Sequence, residues 1–128
     1  MKILKKILLS LLIAASIGAV STSVLAETDA GRITYAPAEA IDIVTGKIKV
    51  ALDAVTSGTE GEQVAELIKD ASDASKEINA NDKVDIARSK ANNILKLARK
   101  HAKEAALQEA EQELRNALKA FNDLKSLI

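Results

Sequence analysis

His101 is the only histidine of this chain, and Glu104 follows it three residues later. On a helix those two positions share a face, so the imidazole and the carboxylate would form a bidentate grip for a divalent cation such as copper, nickel or zinc. Two ligands make a weak site unless a neighbouring helix or a second chain adds more. Arg99, Lys100 and Lys103 stand around the histidine and repel a cation, which supports the plainer reading of a solvated side chain. Carboxylates also recur at helical spacing: Glu66, Asp70, Asp73 and Glu77, then Glu104, Glu109, Glu111 and Glu113. No calcium-loop pattern accompanies them. Lys69, Lys76, Arg115 and Lys119 are interleaved with them, so the expected outcome is a charge-laced solvent face.

Composition removes most other chemistry. Without cysteine there are no disulfides, thiol nucleophiles, iron–sulfur clusters or covalently attached haem. A histidine–methionine haem needs a methionine beyond Met1, and there is none. A di-iron carboxylate bundle needs paired Glu-x-x-His motifs, and the residue three before His101 is Ala98. Tyr35 and Phe121 are the only aromatic residues, too few for a base-stacking platform. No nucleophile turn, phosphate loop or nucleophile–base pair is recognisable, so the chain is expected to be no enzyme.

The elements that must position these residues follow a helical plan. Met1–Ala26 reads as a secretory signal peptide: Lys2, Lys5 and Lys6 precede an apolar run over Ile7–Val20, and Val24 and Ala26 suit a cut before Glu27. A periplasmic or secreted product is expected, with no membrane association after cleavage. The run is shorter than the roughly 20 apolar residues of a spanning helix. All 18 acidic residues lie beyond Ala26 and three of the 18 basic ones do not, so the processed chain would carry a net charge of −3. With its charges interspersed along the chain, it offers no electrostatic case for nucleic acid or anionic lipid.

Residues 27–36 form a polar lead-in, and 37–128 would form one helical domain. Pro37 suits a first helical position, and Ile41, Val44, Ile48, Ala51/Leu52 and Val55 mark an amphipathic helix ending near Ser57-Gly58. Thr59 and Glu62 match a capping box for a second helix through Val64, Leu67/Ile68, Ala71, Ala74/Ser75 and Ile78. Asn79–Asp82 ends it and supplies the next cap.

Lys83–Ile128 contains neither glycine nor proline. A single helix of that length would run about 68 Å, along a stripe of Val84, Ala87, Ala91, Leu95, Ala98, Ala102, Ala106 and Ala110 through Leu124. The heptad phase argues instead for two helices meeting around Arg99–Ala106. Val84, Ala87, Ala91, Ile94 and Ala98 keep one phase, whereas Leu107, Ala110, Leu114, Ala117, Phe121, Leu124 and Ile128 keep another, displaced by two residues. Four helices of similar length close a core. The expected fold is therefore an all-α, up-down-up-down four-helix bundle, with a helical hairpin plus one long C-terminal helix as the alternative. A weak echo of Ile48–Asp53 at Ile68–Asp73, Leu95–Lys100 and Leu118–Asp123 supplies one copy per helix. Many inward positions are alanine, so the core should be thin and a large apolar ligand cavity is not expected.

The Ala-rich helices over Ala38–Leu124, with their Ala, Lys and acidic echo, end in Ala110-Glu111-Gln112-Glu113-Leu114-Arg115-Asn116-Ala117-Leu118-Lys119. In this layout the chain resembles the small metal-binding protein family of bacterial periplasms. The resemblance implies a four-helix bundle that binds a divalent metal such as copper through many histidines. Where that family sets histidines, this chain carries Lys, Asp, Glu, Asn and Arg, and His101 is the position that carries over. The rival expectation is a structural or interaction module, a homodimer or the partner of another helical protein, with no metal ligand.

Overall fold

The computed structural model describes Tyr35–Ile128. The expected signal peptide and the expected lead-in, up to residue 34, lie outside the described residues. Four α-helices follow in order: α1 (Pro37–Thr56), α2 (Gly61–Ser75), α3 (Asp82–Lys103) and α4 (Leu107–Asp123), with a closing 3-10 turn over Leu124–Leu127. Each helix packs on the next and α4 closes against α1, which makes an up-down-up-down four-helix bundle. Among the described residues no helix is long and apolar enough to cross a membrane.

The core is the predicted stripe, with local corrections. Ile41, Val44, Ile48, Ala51 and Val55 are buried from α1, and Ala110, Leu114, Ala117 and Phe121 from α4. On α3 Leu95 is fully buried with Val84, Ala91, Ala98 and Ala102, while Ile94 is only partly buried; period 3.6, not the heptad, sets that face. Ile128, placed in the α4 heptad, is 52% exposed because the chain tightens into the 3-10 turn after Asp123. Nine of the 21 buried apolar residues are alanine, so the helices approach closely around few large side chains. That close approach is visible at Gly61, where a Cβ would lie 2.1 Å from the Ala102 carbonyl oxygen of α3.

Hydrogen bonding at the helix ends explains the connections. α1 ends with Gly58 at φ +81, the Gly58 N–H donating to Val55 O (3.2 Å) and the Thr59 N–H to Ala54 O (3.0 Å). This is a Schellman closure. It corrects the expected capping box: Thr59 belongs to the end of α1, so Glu60 becomes the N-cap of α2 and makes no side-chain cap bond. Asn81 caps α3 as expected, its Oδ1 accepting the Val84 N–H at 3.0 Å.

The turn between α3 and α4 has the same geometry without glycine. Ala105 takes φ +61, the Ala105 N–H donates to Ala102 O (3.1 Å), and the Ala106 N–H donates to His101 O (2.8 Å). The chain therefore breaks within the predicted Arg99–Ala106 stretch, and the single long helix is not formed.

Candidate functional site

His101 lies in the last turn of α3, on the edge that faces α4. Ala98 and Ala102 beside it are buried in the core, which leaves the imidazole at the seam, 26% exposed. Its Nδ1 meets the Oε1 of Glu113 from the second turn of α4, a carboxylate only 12% exposed. When Nδ1 carries a proton it donates to that oxygen, and with the ring charged the contact is an ion pair. Glu113 Oε2 is buried and has no hydrogen-bond partner among the described residues.

Glu104 stands elsewhere. It is the exposed C-cap of α3, where helical geometry is ending, and no hydrogen bond or ion pair joins it to His101 among the described residues. Instead Glu104 lines a shallow open cleft of about 350 Å³ with Lys96, Arg99, Lys100 and Lys103. Among the described residues no three or more His, Asp or Glu side chains gather as a metal cage. Sequence spacing had missed Glu113, which is twelve positions from His101. Once the turn at Ala105 is placed, counting outward from it brings the last turn of α3 against the first turns of α4.

No known protein family, curated protein or solved structure matches this chain. Its site must be read from its own side chains.

The remaining polar groups mostly hold the bundle together. Ser72 Oγ donates to Asn92 Oδ1 across α2 and α3 at 2.6 Å. Asn81 Nδ2 donates to Leu127 O at 3.0 Å, and Lys125 pairs with Asp42, so the C-terminal turn is tied to both ends of its surroundings. The carboxylates expected to be laced with cations are so in part: Lys69 and Lys76 pair with Asp73, Arg115 with Glu111 and Lys119 with Asp123. The hydrogen bond from Lys69, helped by the charges of Lys69 and Lys76, holds the Asp73 carboxyl below its ordinary value.

Other charges have no such partner. Among the described residues Lys96, Lys100 and Lys103, all exposed along α3, form no ion pair, nor do Glu62, Glu66 and Asp70 along α2. From Ile86 to Lys103 the chain carries Arg88, Lys90, Lys96, Arg99, Lys100 and Lys103 and no acidic residue. A second open cleft, about 430 Å³, lies between α1 and α2 and is lined by Ala54, Thr59, Glu62, Gln63, Glu66 and Leu67. Neither cleft is an enclosed cavity, and no serine or threonine hydroxyl bonds to the His101 ring among the described residues.

Proposed function

We propose that this protein is an exported, non-enzymatic helical bundle that works by binding another macromolecule on the outer faces of its helices. One observation carries the reading. The polar pair His101 and Glu113 is engaged at a helix seam, whereas the cations Lys96, Lys100 and Lys103 are exposed to solvent and form no ion pair among the described residues. Such cations supply charge and orientation to a partner but no nucleophile, base or oxyanion site. Export rests on the basic start, the apolar run and the Val24–Ala26 cut.

Divalent metal binding is the second reading, and a specific observation favours it: an imidazole nitrogen and a carboxylate already converge at His101 and Glu113. In that reading Glu113 takes the place assigned to Glu104, and solvent or a partner completes the shell.

Native mass spectrometry of the protein recovered from the periplasm of an expressing host, with and without stoichiometric copper, nickel and zinc, decides between them. The expected result is the intact mass of residues 27–128 with no metal adduct. A one-metal adduct that is lost in His101→Ala overturns the interaction reading in favour of the metal one. A mass retaining the first 26 residues overturns processing at Ala26.

A further inference from the structure

We propose that the outward side of α3 is a docking surface for an anionic phospholipid bilayer, on which the protein rests peripherally with α3 against the headgroups. The inference goes beyond the interaction reading, which names a macromolecular partner; it adds a lipid surface that α3 contacts.

The solvent side of α3 is not purely polar. Ile86 and Leu97 are 60% and 46% exposed. They stand about three turns and about 16 Å apart along the axis, so both lie on one side of the helix. That side is opposite the buried Val84, Ala91, Leu95, Ala98 and Ala102. Lys90 and Lys100 flank the two apolar residues there. Lys96 and Lys103 lie on the shoulder toward α2, because they follow, at helical spacing, the Asn92 that bonds to Ser72 of α2. All four lysines are exposed and form no ion pair among the described residues.

Acids stand only around the margin. Asp82 and Asp85 lie in the first turn of α3, where Asp85 approaches Arg88, and Glu104 is its C-cap. Across the α4 edge Glu113 is taken up by His101, which leaves Glu109, one turn before it, at the border. Acids outnumber bases after Ala26, so the summed charge offers no case for anionic lipid. Folding reverses that expectation locally, because six bases fall between Ile86 and Lys103 on one helix.

The chemistry of this face favours a bilayer over a protein. Protein interfaces are depleted in lysine and enriched in aromatic residues and arginine. Here the exposed cations are lysines, no aromatic residue is present, and Arg88 and Arg99 are half-buried with their Nε atoms covered. Lysines with long apolar stems beside isolated aliphatic side chains are what a helix lying in the headgroup region uses. The shallow cleft of about 350 Å³ lined by Lys96, Arg99, Lys100, Lys103 and Glu104 brings four cations around one opening, which suits a lipid phosphate. Two aliphatic anchors bury little area, so docking is reversible and depends on salt.

Flotation of the protein recovered from the periplasm tests this, with vesicles of phosphatidylglycerol and phosphatidylcholine in equal parts and with phosphatidylcholine alone. The expected result is binding to the anionic vesicles that falls at least about tenfold between about 0.01 M and about 1 M salt, with none to phosphatidylcholine. Residues 1–26, if retained, could themselves bind lipid, so variants of α3 carry the decision. A lysine near an anionic surface contributes about fivefold, and Lys96→Gln/Lys100→Gln should weaken partition at least about tenfold. Ile86→Ser/Leu97→Ser should weaken it at least about fourfold, the worth of one methylene buried in lipid. All six positions changed, including the control Lys47→Gln/Lys49→Gln on α1, are exposed, so far-ultraviolet circular dichroism should stay that of the parent. The control should leave partition nearly unchanged. No binding to anionic vesicles overturns the proposal, even if the protein then binds an acidic peptide or a second copy of itself. Equal loss in the α1 control overturns α3 as the contact, and binding indifferent to Ile86→Ser/Leu97→Ser overturns the seating of those side chains in lipid. The metal titration tests the interaction reading by a separate readout.

Discussion

Replacing glycine by alanine at two positions should move stability in opposite directions. Gly46 lies exposed in the interior of α1, with nothing within 4 Å of the place a Cβ would occupy. Alanine there gains helix propensity and restricts the unfolded chain, a stabilisation of about 0.4–1 kcal/mol. Gly61 opens α2, where the Cβ would meet Ala102 O at 2.1 Å and Ala102 C at 3.2 Å. The first distance is more than an ångström inside ordinary contact, and the obstacle is backbone. That carbonyl also accepts the Ala105 N–H, so it cannot swing aside without opening the α3–α4 turn. Relief requires the start of α2 to move off α3, and forced overpacking of this kind costs about 1–3 kcal/mol, occasionally more. The propensity gain at a first helical position is too small to offset it.

The two substitutions share the same unfolded-state change, so comparing them isolates the steric contact. Thermal unfolding followed by far-ultraviolet circular dichroism should place Gly61→Ala below the wild type and Gly46→Ala above it. The displacement should be roughly 4–8 °C per kcal/mol for a domain of about 60–100 residues. A Gly61→Ala protein as stable as its parent would refute the close approach of α2 to α3.

Two further effects follow from the helix ends. Ala105 holds a left-handed conformation that costs a residue with a Cβ about 1–2 kcal/mol. Ala105→Gly should therefore raise the urea midpoint by the equivalent of about 1 kcal/mol after the extra unfolded-state entropy is counted, whereas Gly58→Ala, at φ +81 in the same motif, should lower it. Asn81→Ala removes both the cap on Val84 and the bond to Leu127 O; it should cost about 1 kcal/mol, with amide exchange accelerating at Val84 before the rest of α3.

These closures also explain which parts of the fold were legible. Period 3.6 along α1 and α4 named most of the buried residues, because nothing competes with burial for a Val, Ile or Leu at those positions. The break after Lys103 was visible as a phase shift of the apolar pattern, although the residue that makes the turn, Ala105, carries no turn signal of its own. The capping box at Thr59 failed for a related reason. A motif is local, but Gly58 lets α1 close over Thr59 first, and the same N-terminal residue cannot serve both helices.

The candidate site was less legible because its partners are set by the bundle and not by spacing. Glu104 is close to His101 in sequence but falls where α3 stops, so the helical face that would unite them has ended. Glu113 is remote in sequence and reaches the imidazole only because the Ala105 turn folds α4 back along α3. Charge behaves likewise. Counted over the whole chain, Lys and Arg balance Asp and Glu, and counted after Ala26 they nearly do. Yet α3 holds six cations from Ile86 to Lys103 with no acid among them, while α2 next to it bears Glu62, Glu66, Asp70 and Asp73. A sum discards position, and binding responds to position: at physiological ionic strength charges act over about 8 Å, a distance comparable to the spacing of packed helices. An approaching partner therefore meets one row at a time, not the balanced total.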